Sequence, residues 1–147
     1  MKGLQKDKLK IFLIIIFVLL IDQLTKIFLQ YKNFTLIPKL LYVKYAENPG
    51  IVFGFFERNF IFLYLLPVLV IILISYYLYK NELNYIGGAL VIAGLLGNII
   101  DRIRLGYVID WLLVPIMPEY NISLFNMADA SLVIGVFVLI YFLYKKK

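Results

Sequence analysis

Four apolar runs dominate this sequence of 147 residues, from about Leu9 to Gln30, Phe60 to Tyr79, Leu83 to Arg102 and Ala128 to Tyr144. Each comes close to the roughly 20 helical residues needed to cross a hydrocarbon core. No water satisfies backbone groups there, so such runs must close their hydrogen bonds internally. The sequence therefore predicts an all-α membrane protein with four transmembrane helices. Composition agrees, since 63% hydrophobic and 16% charged residues fall outside the range of a soluble domain. The first run has no small-residue cleavage site and continues through Asp22 to Leu29, so it reads as a permanent helix rather than a removed leader. With no internal repeat, low-complexity tract or linker, residues 1–147 read as one membrane domain.

The charges orient these helices. Lys2, Lys6, Lys8 and Lys10 precede the first run, Lys80 sits in the turn between the middle two, and Lys145, Lys146 and Lys147 follow the last. Excess lysine marks the cytoplasmic side, which places both ends and that turn inside. The net charge of +6 lies at the ends of the chain rather than along an amphipathic face, so nucleic acid is not an expected partner. Membrane lipids are. Histidine and cysteine are absent, which excludes Ser-His and Cys-His nucleophiles, Cys/His zinc sites and disulfides. If the chain is an enzyme, carboxylates must carry the chemistry.

Two longer segments, Tyr31 to Asn59 and Ile103 to Met127, then fall on the outer side. In the first, Leu41, Val43 and Tyr45 alternate with Tyr42, Lys44 and Ala46, and Phe34 to Ile37 is β-prone, which predicts a small sheet. In the second, Tyr107 to Val114 is too short to span, and Trp111 suits an interfacial anchor.

Within the apolar runs the polar residues are few. Asn98, Asp101 and Arg102 are three and four apart, hence on one helix face near its outer end. Asp129 begins the fourth helix, and Asp22 lies about 18 Å of helix rise beyond Lys10, so all of them converge on the outer leaflet. Charges at that depth are costly and commonly functional. Each has an ordinary use as well. Asp22 and Lys26 can neutralise each other, Arg102 can snorkel, Asp129 can cap its helix, and Gly87, Gly88, Ala93, Gly94 and Gly97 can serve close helix packing. A proton or ion path built from Asp22, Lys26, Asp101 and Arg102 is the rival reading. It would need polar groups at several depths, whereas the inner halves of the helices are apolar. Hard cations could accept Asp101, Asp110 and Asp129, but no compact acidic loop is present and no metal is expected.

Five strings carry the decisive pattern: DQLTK from Asp22, ENPGIVFG from Glu47, AGLLGNIIDR from Ala93, GYVIDW from Gly106 and FNMAD from Phe125. In order and spacing they resemble the lipoprotein signal peptidases, also called signal peptidase II. These are aspartyl proteases of the bacterial inner membrane that cut prolipoproteins just before a diacylglyceryl-modified cysteine. The resemblance implies that Asp110 and Asp129 are a catalytic dyad, with Asp110 supplied by the outer segment and Asp129 by a helix start. It further implies that Asp22, Lys26, Asn48, Gly50, Asn98, Asp101, Arg102, Asn126 and Ala128 bind substrate or support the site. No cofactor is implied. The implied fold is four transmembrane helices with a small extracytoplasmic β-cradle and an amphipathic segment; the implied partners are prolipoproteins and cyclic peptide inhibitors of the globomycin type.

Overall fold

The computed structural model of the chain describes residues 2–50, 57, 59–115 and 124–146, with side chains from residue 7 onward. Residues Ile51 and Val52 of the ENPGIVFG string, and Glu119, lie outside the described residues. Four helices are long and apolar enough to cross a membrane, over Asp7–Leu29, Ile61–Tyr79, Tyr85–Leu105 and Met127–Lys145. Helix α1 runs Lys2–Leu29, α2 Leu66–Tyr79, α3 Tyr85–Leu105 and α4 Met127–Lys145. Helix α1 starts well before Leu9 and α3 continues past Arg102, because hydropathy locates the hydrocarbon core rather than the last hydrogen bond of a helix.

Helix α3 is the centre of the bundle: 61% of its apolar window is buried, against 6 to 22% for the other three. Its small residues permit this. A methyl group at Gly87 would meet Leu139 and the Gly135 carbonyl, and one at Gly97 would meet Asp22 and Ala128, so α1 and α4 both approach the α3 backbone closely. Asn84 caps α3 by accepting from the Ile86 and Gly87 amides. The other end stops at Gly106, whose φ of 83° is a left-handed conformation that glycine adopts without penalty and that turns the chain toward the sheet. Before α2 lies a π-helical turn, Ile61–Leu65, where the Leu66 amide reaches back to the Ile61 carbonyl. Pro67, at the start of α2, cannot donate and crowds the preceding turn, which accounts for the wider register.

The outer side carries a four-stranded antiparallel sheet, β1 Asn33–Ile37, β2 Leu41–Asn48, β3 Val108–Leu113 and β4 Leu124–Phe125, in spatial order β1-β2-β3-β4. The first hairpin follows the alternation expected of it: Val43 is buried and Lys44 exposed. The second outer segment, too short to span, is a strand: 108–113 pairs with β2, with Asp110 opposite Ala46 and Val108 opposite Asn48. Its first four residues are all buried, so no period-two pattern marks it. Trp111 is correspondingly no interfacial anchor: it is 6% exposed, and its indole N–H has no acceptor among the described residues.

Candidate active site

The sheet and the outer parts of α1, α3 and α4 bring every predicted site residue into one hydrogen-bonded assembly. Asp110 stands on β3, 3% exposed, and both its oxygens are taken. Asn48 Nδ2 donates to Oδ2 at 2.9 Å and Asn126 Nδ2 donates to Oδ1 at 2.8 Å. Asn48 faces Val108 across the ladder, so it reaches Asp110 as the diagonal neighbour on the same face. The strand fixes Asp110 far more firmly than a loop would.

Asp129 is the third residue of α4. Asn126 caps that helix by accepting from the Asp129 amide at 2.9 Å, while Asp129 Oδ2 accepts from the Asn126 amide at 3.2 Å. This reciprocal pair is a capping box, so part of the ordinary cap role considered for Asp129 is real. Its other oxygen faces Asn98, whose Nδ2 donates at 2.8 Å. Asn126 Nδ2 also donates to Asn98 Oδ1 at 3.1 Å, and the two carboxylates are thereby joined through two amides.

Beneath this chain lies a buried ionic cluster. Lys26 Nζ is 2.8 Å from Asp22 Oδ2 and 2.9 Å from Asp101 Oδ2, with all three side chains 0–1% exposed. Lys26 also donates to Asn98 Oδ1 at 3.3 Å. Asp22 Oδ1 accepts from the Ala128 amide and Asp101 Oδ2 from the Ile109 amide. Asp22 and Lys26 therefore do neutralise each other, within a larger set. Arg102 does not snorkel. It is 9% exposed and donates from Nη2 to the Gly50 carbonyl at 2.7 Å, and its Nε has no acceptor among the described residues. Gly50 is held in turn through its amide by Asn48 Oδ1.

Asp110, Asp129, Asn48, Asn98 and Arg102 all line a cavity of about 370 Å³. Its remaining wall is apolar, with Phe62, Leu66, Pro67 and Val70 from the π turn and α2 and with Leu132 and Val133 from α4. Leu66 and Val133 are 46% and 50% exposed, so this wall opens sideways to where acyl chains would lie. Burial pushes the Asp110 carboxyl up to about 7, and the charge of Asp129 adds to the effect; the Asn48 and Asn126 donors oppose it. Among the described residues no group of three or more His, Cys, Asp or Glu is arranged to hold a metal ion. Gln23 was not foreseen: its amide donates to Asp101 Oδ1 at 3.0 Å and to Asp22 Oδ2 at 3.1 Å. Its position beside Asp22 in the DQLTK string was the available signal.

The family model described as signal peptidase II matches residues 14–145. The chain belongs to the signal peptidase II family. Like other members it is an aspartic-type endopeptidase. Among curated relatives, the lipoprotein signal peptidase of Halothermothrix orenii is 34% identical, with the match covering 93% of this chain and 97% of the relative. That of Lactobacillus johnsonii is 36% identical, covering 95% and 96%. A solved structure described as a bacterial membrane enzyme superposes with a TM-score of 0.82 at 32% identity, covering 92% of this chain and 88% of the solved chain. A second of the same description gives 0.81 at 31%, covering 94% of each.

Proposed function

We propose that this peptidase removes signal peptides from prolipoproteins by cleaving immediately before the diacylglyceryl-modified cysteine, with Asp110 and Asp129 as the catalytic dyad. The observation that carries the reading is the placement of both carboxylates on one cavity whose other walls are apolar and open toward lipid. Amide hydrolysis needs a base to activate water and an acid to protonate the leaving nitrogen. In the reaction, the ionised member of the pair takes a proton from water as its oxygen attacks the scissile carbonyl. The protonated member polarises that carbonyl and then supplies the proton to the departing amine. Two adjacent carboxylates sharing one proton meet both needs, and the raised position of Asp110 supports such sharing near neutral pH.

The other polar groups fall into supporting roles. Asn48, Asn98 and Asn126 orient the carboxylates, and Arg102 has the planar fork suited to holding a substrate carbonyl beside Gly50. The apolar wall suits the acyl chains of the modified cysteine, each buried CH₂ adding roughly 0.8 kcal/mol. Cyclic peptide inhibitors of the globomycin type would occupy the same cavity. The lysine distribution supports a multi-pass protein of the bacterial cytoplasmic membrane, with both termini cytoplasmic and the cavity toward the outer leaflet.

The test is cleavage by purified protein of a precursor peptide with and without the diacylglyceryl group. The lipidated peptide is expected to be cut before the cysteine and the unlipidated one to be a poor substrate. Equal turnover of the two would reject the lipid specificity. Asp110→Asn and Asp129→Asn should each nearly abolish cleavage in folded protein, with the double variant scarcely worse, because residues acting as a unit are non-additive. Substantial cleavage by either single variant rejects the dyad.

A further inference from the structure

We infer that Asp22, Gln23, Lys26 and Asp101 act together as a positioning clamp, holding the backbone amides that immediately precede Asp110 and Asp129 so that carboxylates carried by a strand and by a helix meet at a set separation. The inference rests on the reading of those two aspartates as the dyad. It concerns residues that touch neither.

The connections form one continuous chain. The amide of Ile109, next to Asp110, donates to Asp101 Oδ2 at 3.1 Å. Lys26 Nζ lies 2.9 Å from that same oxygen and 2.8 Å from Asp22 Oδ2. The other oxygen of Asp22 accepts from the amide of Ala128, next to Asp129, at 2.9 Å. Gln23 closes the loop by donating to Asp101 Oδ1 and Asp22 Oδ2, and its own Oε1 is held by Arg104 Nη1 at 2.9 Å. Gly97 makes the arrangement possible, since a Cβ there would lie 2.7 Å from Asp22 Oδ2.

A scaffolding role alone does not account for this chemistry. Well-packed apolar side chains commonly match or exceed a buried ion cluster in stability, whereas removing one partner strands a charge. What the charges provide is direction: one oxygen of each carboxylate accepts from a backbone N–H, and the single ammonium fixes the two carboxylates relative to each other. None of the four side chains lines the cavity, so none contacts a substrate held there. Their effect must therefore pass through the geometry of the dyad.

Two measurements test the clamp, one kinetic and one of backbone exchange. Asp101→Ala is expected to lower kcat by roughly 10²-fold with KM unchanged, the cost of misplacing reacting groups by about an ångström. Asp101→Asn should recover much of that loss, because its amide oxygen still accepts from Ile109. Lys26→Met should accelerate hydrogen exchange at the Ile109 and Ala128 amides together, although Lys26 contacts neither. Should Asp101→Ala fail to fold, Gln23→Ala leaves both ion pairs in place and should still lower kcat at constant KM. A rise in KM with kcat preserved, a loss of activity that only follows the folded fraction, or exchange that quickens at one amide alone would each overturn the proposal. Asp110→Asn is assayed beside them. If it retains cleavage, the dyad reading fails and takes the clamp with it; if it is inactive while the clamp variants keep their kcat, the clamp alone fails.

Discussion

At the scale of single residues, Asp110 concentrates the consequences of the site. Its carboxyl titrates at about 7 in the folded protein against 3.8 ordinarily, first because it is buried and second because Asp129 is near. The folded chain therefore keeps a proton that the unfolded chain releases between those values. The corresponding stability is fully present below 3.8, declines as pH rises toward about 7, and changes no further above that. Unfolding measured across this window should show the wild type losing stability relative to Asp110→Asn, in which no such proton exists. Asp129→Asn should pull the upper end of the window down, by removing the second cause. Parallel pH curves for wild type and Asp110→Asn would show that the carboxyl is not raised. On the proposed dyad, cleavage should also weaken above pH about 7, as the proton held by Asp110 is lost.

At the scale of elements, small residues set how far the helices can part. Gly97→Ala would push a methyl group to 2.7 Å from Asp22 Oδ2 and 2.9 Å from the Ala128 side chain, both fixed by hydrogen bonds or by the α4 backbone. At Gly88→Ala the nearest atoms are Cδ1, Cδ2 and Cγ of the Leu78 side chain, at 2.8–3.0 Å, and that side chain can rotate away. Thermal unfolding in detergent should find Gly97→Ala costlier by about 1–3 kcal/mol, with a disproportionate loss of cleavage because Asp22 is displaced. Equal effects of the two would deny the close approach at Gly97. The same elements explain what could be read from residues alone. The β1–β2 hairpin was legible because one face of β2 is covered, leaving Val43 and Lys44 on opposite sides. Strand β3 was not, since Val108 to Trp111 are all buried and carry no alternation. Asp22, Lys26 and Asp101 announced themselves by the cost of charge in an apolar run, whereas neutral Gln23 carries no such cost and meets Asp101 from 78 positions away. The cavity wall was hidden for a different reason: Leu66 or Val133 facing a cavity has the same chemistry as a leucine or valine facing lipid.

At the scale of the whole molecule, the polar site lies at the sheet end of the bundle, with Lys26, Lys32, Lys39 and Lys44, whereas Lys8, Lys10, Lys80, Lys145 and Lys146 lie at the other end. Lys8 lies over the ring of Tyr79 and Lys10 over that of Tyr85, which puts the start of α1 beside the α2–α3 turn. The sheet, the carboxylates and the cavity lie at the other end of the helices. The lysines that flank the helices at the end of the α2–α3 turn favour its retention in the cytoplasm, so the sheet end should face outward. Because the chain has no cysteine, single replacements give unambiguous labels. Lys44→Cys on β2 should react with an impermeant maleimide applied to the outside of intact spheroplasts, and Asn81→Cys, in the α2–α3 turn, only after the membrane is opened. The reverse pattern would invert the molecule and put the cavity in the wrong leaflet, and labelling of both positions from one side would break the antiparallel order of the helices itself.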